Sequence, residues 1–482
     1  MSLTQRCDRE RGWCGVPKVR TWQLATGAAA LGLVVSAGAV AAAGPWDTGQ
    51  RKAERQWAAA QDPTGGAHHE SSARERPPAA PSAPPVLAAL GTTGPRTADA
   101  PARPPAGLAG TLGPLLGDAA LGPAPTASVI DLATGERLWA RGPATPMTPA
   151  STIKIATAAA ALSALGPDHR IPTTVVAPPE GDRVTLVGGG DATLDRARLA
   201  TLADRTAAAL RERGTAAVRL THDSSLYAGP LLHSIGPNGN LAPVSALMVD
   251  QGRNDPRTTG DATRAKDPAG ETARVFADLL SERGVRVTGS PAPGRAPEEA
   301  VPLAQVLSAP LSAVVERMLT SSDNDIAESL ARQTAVAAGR RADFAGAGKA
   351  VTDRLRRLGL PLEGARFADG SGLDRRDRVS AGLLTALLAR SADPDRPELR
   401  PVLTGLPVAG FTGTLGTRYD ETSPGSGLVR AKTGTLSGVD SLAGTVATPD
   451  GRLIGFAFLA NGTGSAAEAR PALDRLAAAL AG

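Results

Sequence analysis

Residues 146–165 read PMTPASTIKIATAAAALSAL, and the interpretation of this 482-residue chain starts from that stretch. Pro149 shortly precedes Ser151 and an Ala-rich apolar run follows, a pattern that predicts a helix starting close to Ser151. Residues three positions apart share one helix face, so the amine of Lys154 is expected near the hydroxyl of Ser151. A serine hydroxyl needs an adjacent base, and lysine serves once burial or a neighbouring cation lowers its pKa. The pair predicts a nucleophile and its base at the start of a helix.

The use of lysine in the chain supports a special role for Lys154. Only six lysines occur among the 52 cationic residues, so arginine is preferred wherever a plain positive charge suffices. The six are Lys18, Lys52, Lys154, Lys266, Lys349 and Lys432. An ammonium group can lose its proton and a guanidinium cannot, so a lysine kept against this bias indicates proton transfer.

A second motif, Ser322-Asp323-Asn324, lies in the stretch LTSSDNDIAESL. The hydroxyl of Ser322 is suited to relaying a proton toward a leaving amine. The amide of Asn324 is suited to holding Lys154 and the backbone of a substrate. The sequence also fits a simple helix cap or turn at this point.

A third motif, Lys432-Thr433-Gly434-Thr435, lies in LVRAKTGTLSGV at a predicted strand start. Lys432 supplies charge, and Thr433 and Thr435 supply hydroxyls for a substrate carboxylate. Gly434 is expected to leave room for a substrate backbone alongside the strand. Each motif alone also fits an interpretation without a function. The third motif would then be an ordinary strand end, and Ser151 and Lys154 would be a solvated pair of residues on a helix. In this order, however, the three form the motif set of penicillin-binding proteins and class A β-lactamases.

Four longer stretches extend the likeness to one family. They are GGGDATL (188–194), APVSALMVDQG (242–252), SDNDIAE (322–328) and ADGSGLDRRDRVS (368–380). With the three motifs, they make residues 107–482 resemble the D-alanyl-D-alanine carboxypeptidase/endopeptidase family, the class C low-molecular-mass penicillin-binding proteins. The resemblance implies an α+β, penicillin-binding/β-lactamase-like serine transferase fold. Its antiparallel sheet is flanked by a helical cluster, and a domain is inserted between the first two motifs.

The resemblance also implies roles for individual residues. Ser151 would be the acylated nucleophile and Lys154 its base, with proton transfer and positioning completed by Ser322, Asn324 and Lys432. The backbone N–H groups of Ser151 and Thr435 would form the oxyanion hole. A side pocket for the diamino-acid side chain of the stem peptide would be formed by Asp223, Tyr227, Leu373, Arg375, Leu436 and Ser437.

Charge complementarity suits that side pocket, because Arg375 would face a carboxylate and Asp223 an amine. The alternative for Asp223 and Tyr227 is a turn carboxylate and an ordinary packed ring. Many family members carry two inserted domains between the first two motifs. The separation from Lys154 to Ser322 is short for that arrangement, so a single compact inserted domain is expected here.

Composition excludes several other classes of protein. The net charge is +5, but no basic stripe with interleaved aromatic residues is present, so nucleic acid is not an expected partner. Cys7 and Cys14 are the only cysteines, which excludes a disulfide framework or a cysteine nucleophile in the main body. The five histidines are scattered, and neither a metal nor an organic cofactor is expected.

Targeting signals divide the chain before its globular part. Lys18 and Arg20 precede an uncharged stretch of a length, roughly 20 residues, that spans a bilayer as a helix. We expect an extracytoplasmic protein, either anchored by this stretch or secreted after its cleavage. The predicted parts are a cytoplasmic N-terminus (1–20), the anchor or signal segment (21–44), a Pro/Ala-rich disordered linker (45–106), the first part of the catalytic domain (107–171), the inserted domain (172–304) and the second part of the catalytic domain (305–482).

Within the globular part, local patterns predict most of the regular elements. The expected elements are a β-hairpin over 127–141, a helix over 195–213, mostly helical chain over 311–358 and 381–391, strands over 441–448 and 452–461, and a final helix over 466–480.

The function predicted from these observations is serine-type D-alanyl-D-alanine carboxypeptidase and endopeptidase activity on peptidoglycan stem peptides. β-Lactam antibiotics are expected to acylate Ser151. The alternative is a β-lactamase or esterase on the same fold. A class A lactamase needs a glutamate to activate water, and Glu363 in PLEGAR, without the expected downstream Asn, is the only carboxylate near the right distance. A non-enzymatic wall-binding module is a second alternative, opposed by the intact serine and lysines.

Overall fold

The computed structural model describes residues 107–258 and 260–482. The predicted cytoplasmic N-terminus (1–20), anchor or signal segment (21–44) and linker (45–106) lie outside these residues. Among the described residues, no helix has the length and apolar character needed to cross a membrane.

A five-stranded antiparallel sheet joins strands from both ends of the described chain, with strand order β2-β1-β11-β10-β9. Its strands are β1 (Thr126–Asp131), β2 (Arg137–Arg141), β9 (Val429–Leu436), β10 (Val439–Ala447) and β11 (Leu453–Asn461). The predicted hairpin is confirmed as β1 and β2, and the two predicted late strands as β10 and β11. β11 is apolar along most of its length because both faces of the sheet are covered.

Alternating side chains of β11 enter two different cores. Phe456 and Phe458 stack at 5.2 Å between ring centroids and enter the core beneath α1 (Leu108–Leu116) and α10 (Ala466–Ala478). Ala457 and Leu459 enter the core on the opposite face. That face is covered by α2 (Lys154–Leu165), α5 (Leu311–Ser321), α6 (Asn324–Ala337), α7 (Phe344–Arg357), α8 (Ala381–Ala392) and the short α9 (Pro401–Thr404).

Helix α2 runs through the middle of this helical layer. All residues from 154 to 162 are buried. Most of them are alanines, whose small side chains let neighbouring helices approach from every side. The strongly apolar stretch read from the sequence is therefore a central core helix. It carries Lys154 at its first turn, inside the protein.

A second sheet lies between the first and second motifs, with strand order β6-β5-β4-β3-β8 and β7 paired with β5. Its strands are β3 (Pro172–Ala177), β4 (Arg183–Gly188), β5 (Ala217–Asp223), β6 (Arg286–Val287), β7 (Ala292–Pro293) and β8 (Val301–Leu307). The helices α3 (Arg196–Glu212) and α4 (Pro268–Glu282) pack against it through a separate core. The helix predicted over 195–213 is confirmed as α3.

The core position of Phe458 yields a stability prediction. Phe458→Ala should lower the free energy of unfolding by about 3–5 kcal/mol, because a fully buried ring is replaced by a cavity. Urea unfolding followed by circular dichroism measures this change. The matched control is Phe411→Ala, which removes a ring that is 70% exposed and should change stability by less than about 0.5 kcal/mol. Equal losses in both variants would contradict the assigned core.

Candidate active site

The first two motifs meet at the side-chain amine of Lys154. Its Nζ lies 2.9 Å from Ser151 Oγ and 2.7 Å from Asn324 Oδ1. A third partner at 2.6 Å is the carbonyl oxygen of Ser371, in the ADGSGLD stretch. Lys154 is completely buried. The predicted proximity of the serine hydroxyl to the lysine amine is present, with the asparagine amide as a further contact.

A tight turn presents Ser151 to this cluster. A 3-10 turn over Ala150–Ile153 leads directly into α2, confirming the prediction that a helix starts close to Ser151. Residues three apart eclipse one another in a 3-10 turn, which brings the hydroxyl and the amine together. The preceding chain is held by Asn461 at the end of β11, whose amide exchanges two hydrogen bonds with the backbone of Thr148, at 3.0 and 3.1 Å.

Two residues beside the reactive groups have left-handed backbone conformations. Ala150 precedes the nucleophile with φ 48°, and Ser322 has φ 58° at the end of α5. Non-glycine residues adopt this conformation at a cost and keep it only where surrounding packing imposes it. The strained positions are the residue just before the first motif and the first residue of the second, at the points where the chain turns to present a side chain.

Burial changes the proton affinity of Lys154. Removal from water lowers its pKa from 10.5 to about 8, although the negative charges of Asp369 and Glu328 oppose the change. A substantial neutral fraction is thus available near pH 8. A neutral amine is the form that accepts a proton from serine.

The partners of Lys154 determine where its lone pair points when the amine is neutral. Asn324 Oδ1 and the Ser371 carbonyl only accept hydrogen bonds, so they take its two N–H groups. The remaining lone pair then faces Ser151 Oγ, whose hydroxyl can donate. The orientation required of a general base therefore follows from two acceptors.

The second motif connects two helices beside this amine. Asp323 caps α6 by accepting from the backbone N–H of Ile326 at 3.0 Å, and Asn324 is the first residue of that helix. The Nδ2 of Asn324 donates to the carbonyl of Asn240 at 3.0 Å, which fixes the orientation of its amide. Ser322 is half-buried, and no hydrogen bond joins its hydroxyl to another of the described residues.

Strand β9 brings the third motif alongside. Lys432 is completely buried, and its Nζ donates to the carbonyl of Thr433 at 2.9 Å. Burial, and secondarily the positive charge of Lys154, holds the pKa of Lys432 well below its ordinary value. Thr433 Oγ1 lies 2.9 Å from Thr414 Oγ1, and Thr435 is exposed, with Oγ1 3.2 Å from Asp440 Oδ1.

The structure gives a reason for glycine at position 434 that the sequence did not reveal. A Cβ at this position would lie 2.6 Å from the carbonyl oxygen of Pro149 and 3.1 Å from the backbone N of Ser151, and would clash with Ser441. The missing side chain therefore lets β9 pack against the turn that carries Ser151. The expected room for a substrate backbone beside the strand stays a prediction.

Four of the six residues predicted to form the side pocket lie close together, next to the third motif. Arg375 is exposed and donates from Nη2 to the carbonyl of Ser437 at 2.7 Å, which joins two turns. Leu373 precedes it in the same turn, and Leu436 ends β9 just before Ser437. The structure thus groups these four residues beside the third motif.

Asp223 and Tyr227 have other partners. The carboxylate of Asp223 accepts from the backbone N–H groups of Ser225 and Ala296, at 2.8 and 2.9 Å. Tyr227 is 5% exposed, and its hydroxyl lies 3.0 Å from Ser329 Oγ. They match the alternative of a turn carboxylate and a packed ring. The expected role of Tyr227 in a substrate pocket is corrected, because its ring is enclosed by the core.

Sequence reasoning assigned no role to a buried polar cluster next to Lys154. His233, Glu328 and Asp369 bring one ligand atom each to within 4.8 Å of one another, a spacing that could hold a metal ion. Their contacts are instead those of a hydrogen-bonded network. His233 Nε2 lies 2.9 Å from Asp369 Oδ2, and Glu328 Oε1 accepts from two backbone N–H groups. The available signal was a glutamate four residues after Asn324, on the same helix face.

The sequence and the fold were compared with known proteins. The D-Ala-D-Ala carboxypeptidase 3 (S13) family matches residues 108–263 and 254–480. Carboxypeptidase DacB of Mycolicibacterium smegmatis is 37% identical over 485 residues, covering 96% of this chain and 97% of that relative. A D-alanyl-D-alanine carboxypeptidase of an Actinomadura species is 30% identical and covers 69% of this chain and 77% of its own length.

A solved structure shows the same fold. Penicillin-binding protein 4 of Haemophilus influenzae superposes with a TM-score of 0.65 at 22% identity, covering 77% of this chain and 98% of that protein. The expected α+β penicillin-binding fold is confirmed. Since the family match covers nearly all described residues, this chain belongs to the D-Ala-D-Ala carboxypeptidase 3 (S13) family of peptidases.

Proposed function

We propose that this chain is a serine-type D-alanyl-D-alanine carboxypeptidase and endopeptidase. It cleaves peptidoglycan stem peptides through an acyl-enzyme on Ser151. The observation that carries the proposal is the contact between Lys154 Nζ and Ser151 Oγ, at 2.9 Å, with both other polar contacts of the amine made to pure acceptors. A neutral lysine so placed removes the serine proton as the hydroxyl attacks.

Acylation begins with attack of Ser151 Oγ on the carbonyl carbon between two D-residues. A C–O bond forms, the hydroxyl proton moves to Lys154 Nζ, and the carbonyl oxygen becomes an oxyanion. The backbone N–H groups of Ser151 and Thr435 stabilise this charge. Support for this pairing is the close packing of β9 against the Ser151 backbone at Gly434.

The tetrahedral intermediate then collapses. The C–N bond breaks, and the proton held by Lys154 reaches the leaving amine through the hydroxyl of Ser322. Lys432, whose buried amine lies near Lys154, completes the positioning of the groups that pass this proton. Water then attacks the ester carbonyl and gives a proton to Lys154. The bond from the carbonyl carbon to Ser151 Oγ breaks as Lys154 passes that proton to Oγ, which releases the acid and restores free Ser151 and neutral Lys154.

β-Lactam antibiotics are proposed inhibitors and ligands of the same site. They present a strained amide to the nucleophile and acylate Ser151, as a substrate does. A crystal structure of the Haemophilus penicillin-binding protein 4 contains a β-lactam, which supports this proposal through the shared fold.

The proposed location is the extracytoplasmic side of the cell membrane, where peptidoglycan stem peptides are found. Residues 21–44 would anchor the chain there or serve as a signal that is cleaved on secretion. The basic net charge of +5 suits the anionic environment of a cell wall.

The lactamase alternative lacks its key group at the site. Glu363, the carboxylate considered for deacylation, is exposed on a turn after α7. The negative charges acting on Lys154 come instead from Asp369, Glu328 and Asp323. A slowly hydrolysed penicillin adduct is therefore expected.

Variants of the nucleophile and base test the proposal directly. Ser151→Ala should abolish labelling by fluorescent penicillin and the mass change of purified stem peptides after incubation. Lys154→Arg should lower the acylation rate by at least ~100-fold, because a guanidinium keeps positive charge but cannot act as a base. The control is Lys349→Arg at an exposed lysine, which should behave as wild type. Undiminished labelling of Ser151→Ala would refute the proposed nucleophile.

The pH dependence of acylation provides a second test. Because the pKa of Lys154 is about 8, kcat/KM should fall roughly tenfold per pH unit as the pH decreases below that value. The sign follows from the neutral amine being the active form. Stopped-flow acylation by penicillin measures the profile. A rate that stays constant between about pH 6 and pH 9 would argue against lysine as the base.

The group of predicted side-pocket residues around Arg375 generates a prediction about substrate specificity. Arg375→Ala should reduce stem-peptide cleavage by roughly tenfold or more while changing penicillin acylation less than about twofold, because only the peptide carries the distal carboxylate. Steady-state kinetics on both substrates measures the difference. Arg366→Ala removes an exposed arginine from a neighbouring segment and should change neither rate. Equal losses on both substrates would remove Arg375 from the pocket.

A further inference from the structure

One of the acceptors that orient Lys154 is the backbone carbonyl of Ser371, at 2.6 Å. It belongs to a turn over residues 369–374, far from all three motifs in the sequence. The direction of a backbone carbonyl in a turn depends on the contacts that hold the turn in place. The direction of the Lys154 lone pair therefore depends on whatever fixes this segment.

Two buried carboxylates hold the turn. Glu328 Oε1 accepts from the backbone N–H groups of Gly370 and Ser371, at 3.0 and 2.9 Å. Asp369 Oδ1 accepts from those of Ser371 and Gly372, at 3.1 and 2.6 Å. Three successive backbone N–H groups are bound to carboxylate oxygens, so the peptide units that flank the Ser371 carbonyl are fixed.

The same helix supplies both steering groups. Glu328 and Asn324 are four residues apart on α6 and share one face. Asn324 Oδ1 accepts from the amine directly, and Glu328 acts through the Ser371 carbonyl. One rigid helix thus sets both acceptors of the neutral lysine.

We propose that Glu328 and Asp369 are positioning residues that hold the Ser371 carbonyl against Lys154, so that the lone pair of the amine faces the Ser151 hydroxyl. This inference rests on the proposed function and adds to it the part of the machinery that aims the base. Neither carboxylate touches the reacting atoms.

The carboxylates also act on Lys154 through their charge. Burial, together with the negative charge of Asp369, raises the pKa of Glu328 to about 7. In its ionised form, Glu328 raises the pKa of Lys154 and so opposes the effect of burial. Burial and Asp369 likewise raise the pKa of Asp377 to about 10, which keeps that group protonated. The other charged or titratable groups facing the cluster are His233, Asp323, Arg332, Asp374 and Lys432.

A role confined to folding predicts a different result from a positioning role. A merely structural glutamate changes the stability of the protein and leaves the acid limb of the acylation profile in place. A positioning carboxylate that stabilises the ammonium form moves that limb when its charge is removed. The pH profile therefore separates the two roles.

The experiment measures penicillin acylation against pH by stopped flow in the full chain carrying Glu328→Gln. Glutamine keeps the acceptor oxygen but removes the charge, so the acid limb should move to lower pH by roughly half a unit or more. Glu328→Ala also removes the hydrogen bonds to the turn. It should lower the limiting acylation rate by roughly tenfold or more, with a smaller change in the penicillin concentration at half saturation.

The matched control is Asp325→Asn on the same helix. Asp325 is equally buried, but it accepts from the backbone N–H of Ala242 at 2.9 Å and pairs with Arg264 at 3.2 Å. It is not among the groups with the largest charge effects on the pKa of Lys154. This variant should keep the wild-type acid limb even if its thermal stability falls.

Two kinds of result would refute two different claims. An acid limb and limiting rate unchanged in folded Glu328→Gln and Glu328→Ala would overturn the inference while leaving Ser151 as nucleophile. Should either variant not fold, Asp369→Asn is tested for the same downward shift, and an unchanged limb there overturns the inference equally. Labelling that persists in Ser151→Ala would instead remove the proposed function on which the inference rests.

Discussion

The burial of a single amine is the constraint on which the active-site region depends. Lys154 sits at the first turn of a fully enclosed helix, where taking an ammonium out of water is costly unless its hydrogen bonds are replaced. The replacements come from three separate segments, at Ser151, Asn324 and Ser371. The same burial that costs stability brings the pKa down to about 8, so part of the stability is exchanged for a neutral amine that can accept a proton.

Helix α6 connects this amine to the rest of the molecule. It is buried along most of its length although many of its side chains are polar, because nearly every one has a specific partner. Asn324 and Glu328 serve the site. Farther along, Ser329 donates to the carbonyl of Gly190 and Gln333 to that of Gly189, at the start of the loop after β4. The inserted segment and the reactive groups are thus held by one helix, which gives the insertion a physical link to the geometry of the site.

The local signals in the sequence were reliable where neighbouring residues decide the outcome. The hairpin of β1 and β2, the helix beginning near Ser151 and the two closing strands depend on turn residues and apolar periodicity. The Ser151–Lys154 contact belongs to the same class, because helical geometry alone brings residues three apart together. The packing of Gly434 was not foreseen, because the groups that a side chain there would strike, at Pro149 and Ser441, are distant in the chain.

Reading residues in order was enough to obtain the motif set, the proposed chemistry and the order of most elements, since those depend on short-range geometry and residue type. Only the folded structure showed that Glu328 and Asp369 hold the turn that contains Ser371, and that the ring of Tyr227 is enclosed by the core. Glu328 lies 43 residues from Ser371, and Tyr227 lies 102 from Ser329. A partner at such a distance is selected by the packing of whole helices and loops, and no spacing rule along one chain encodes it.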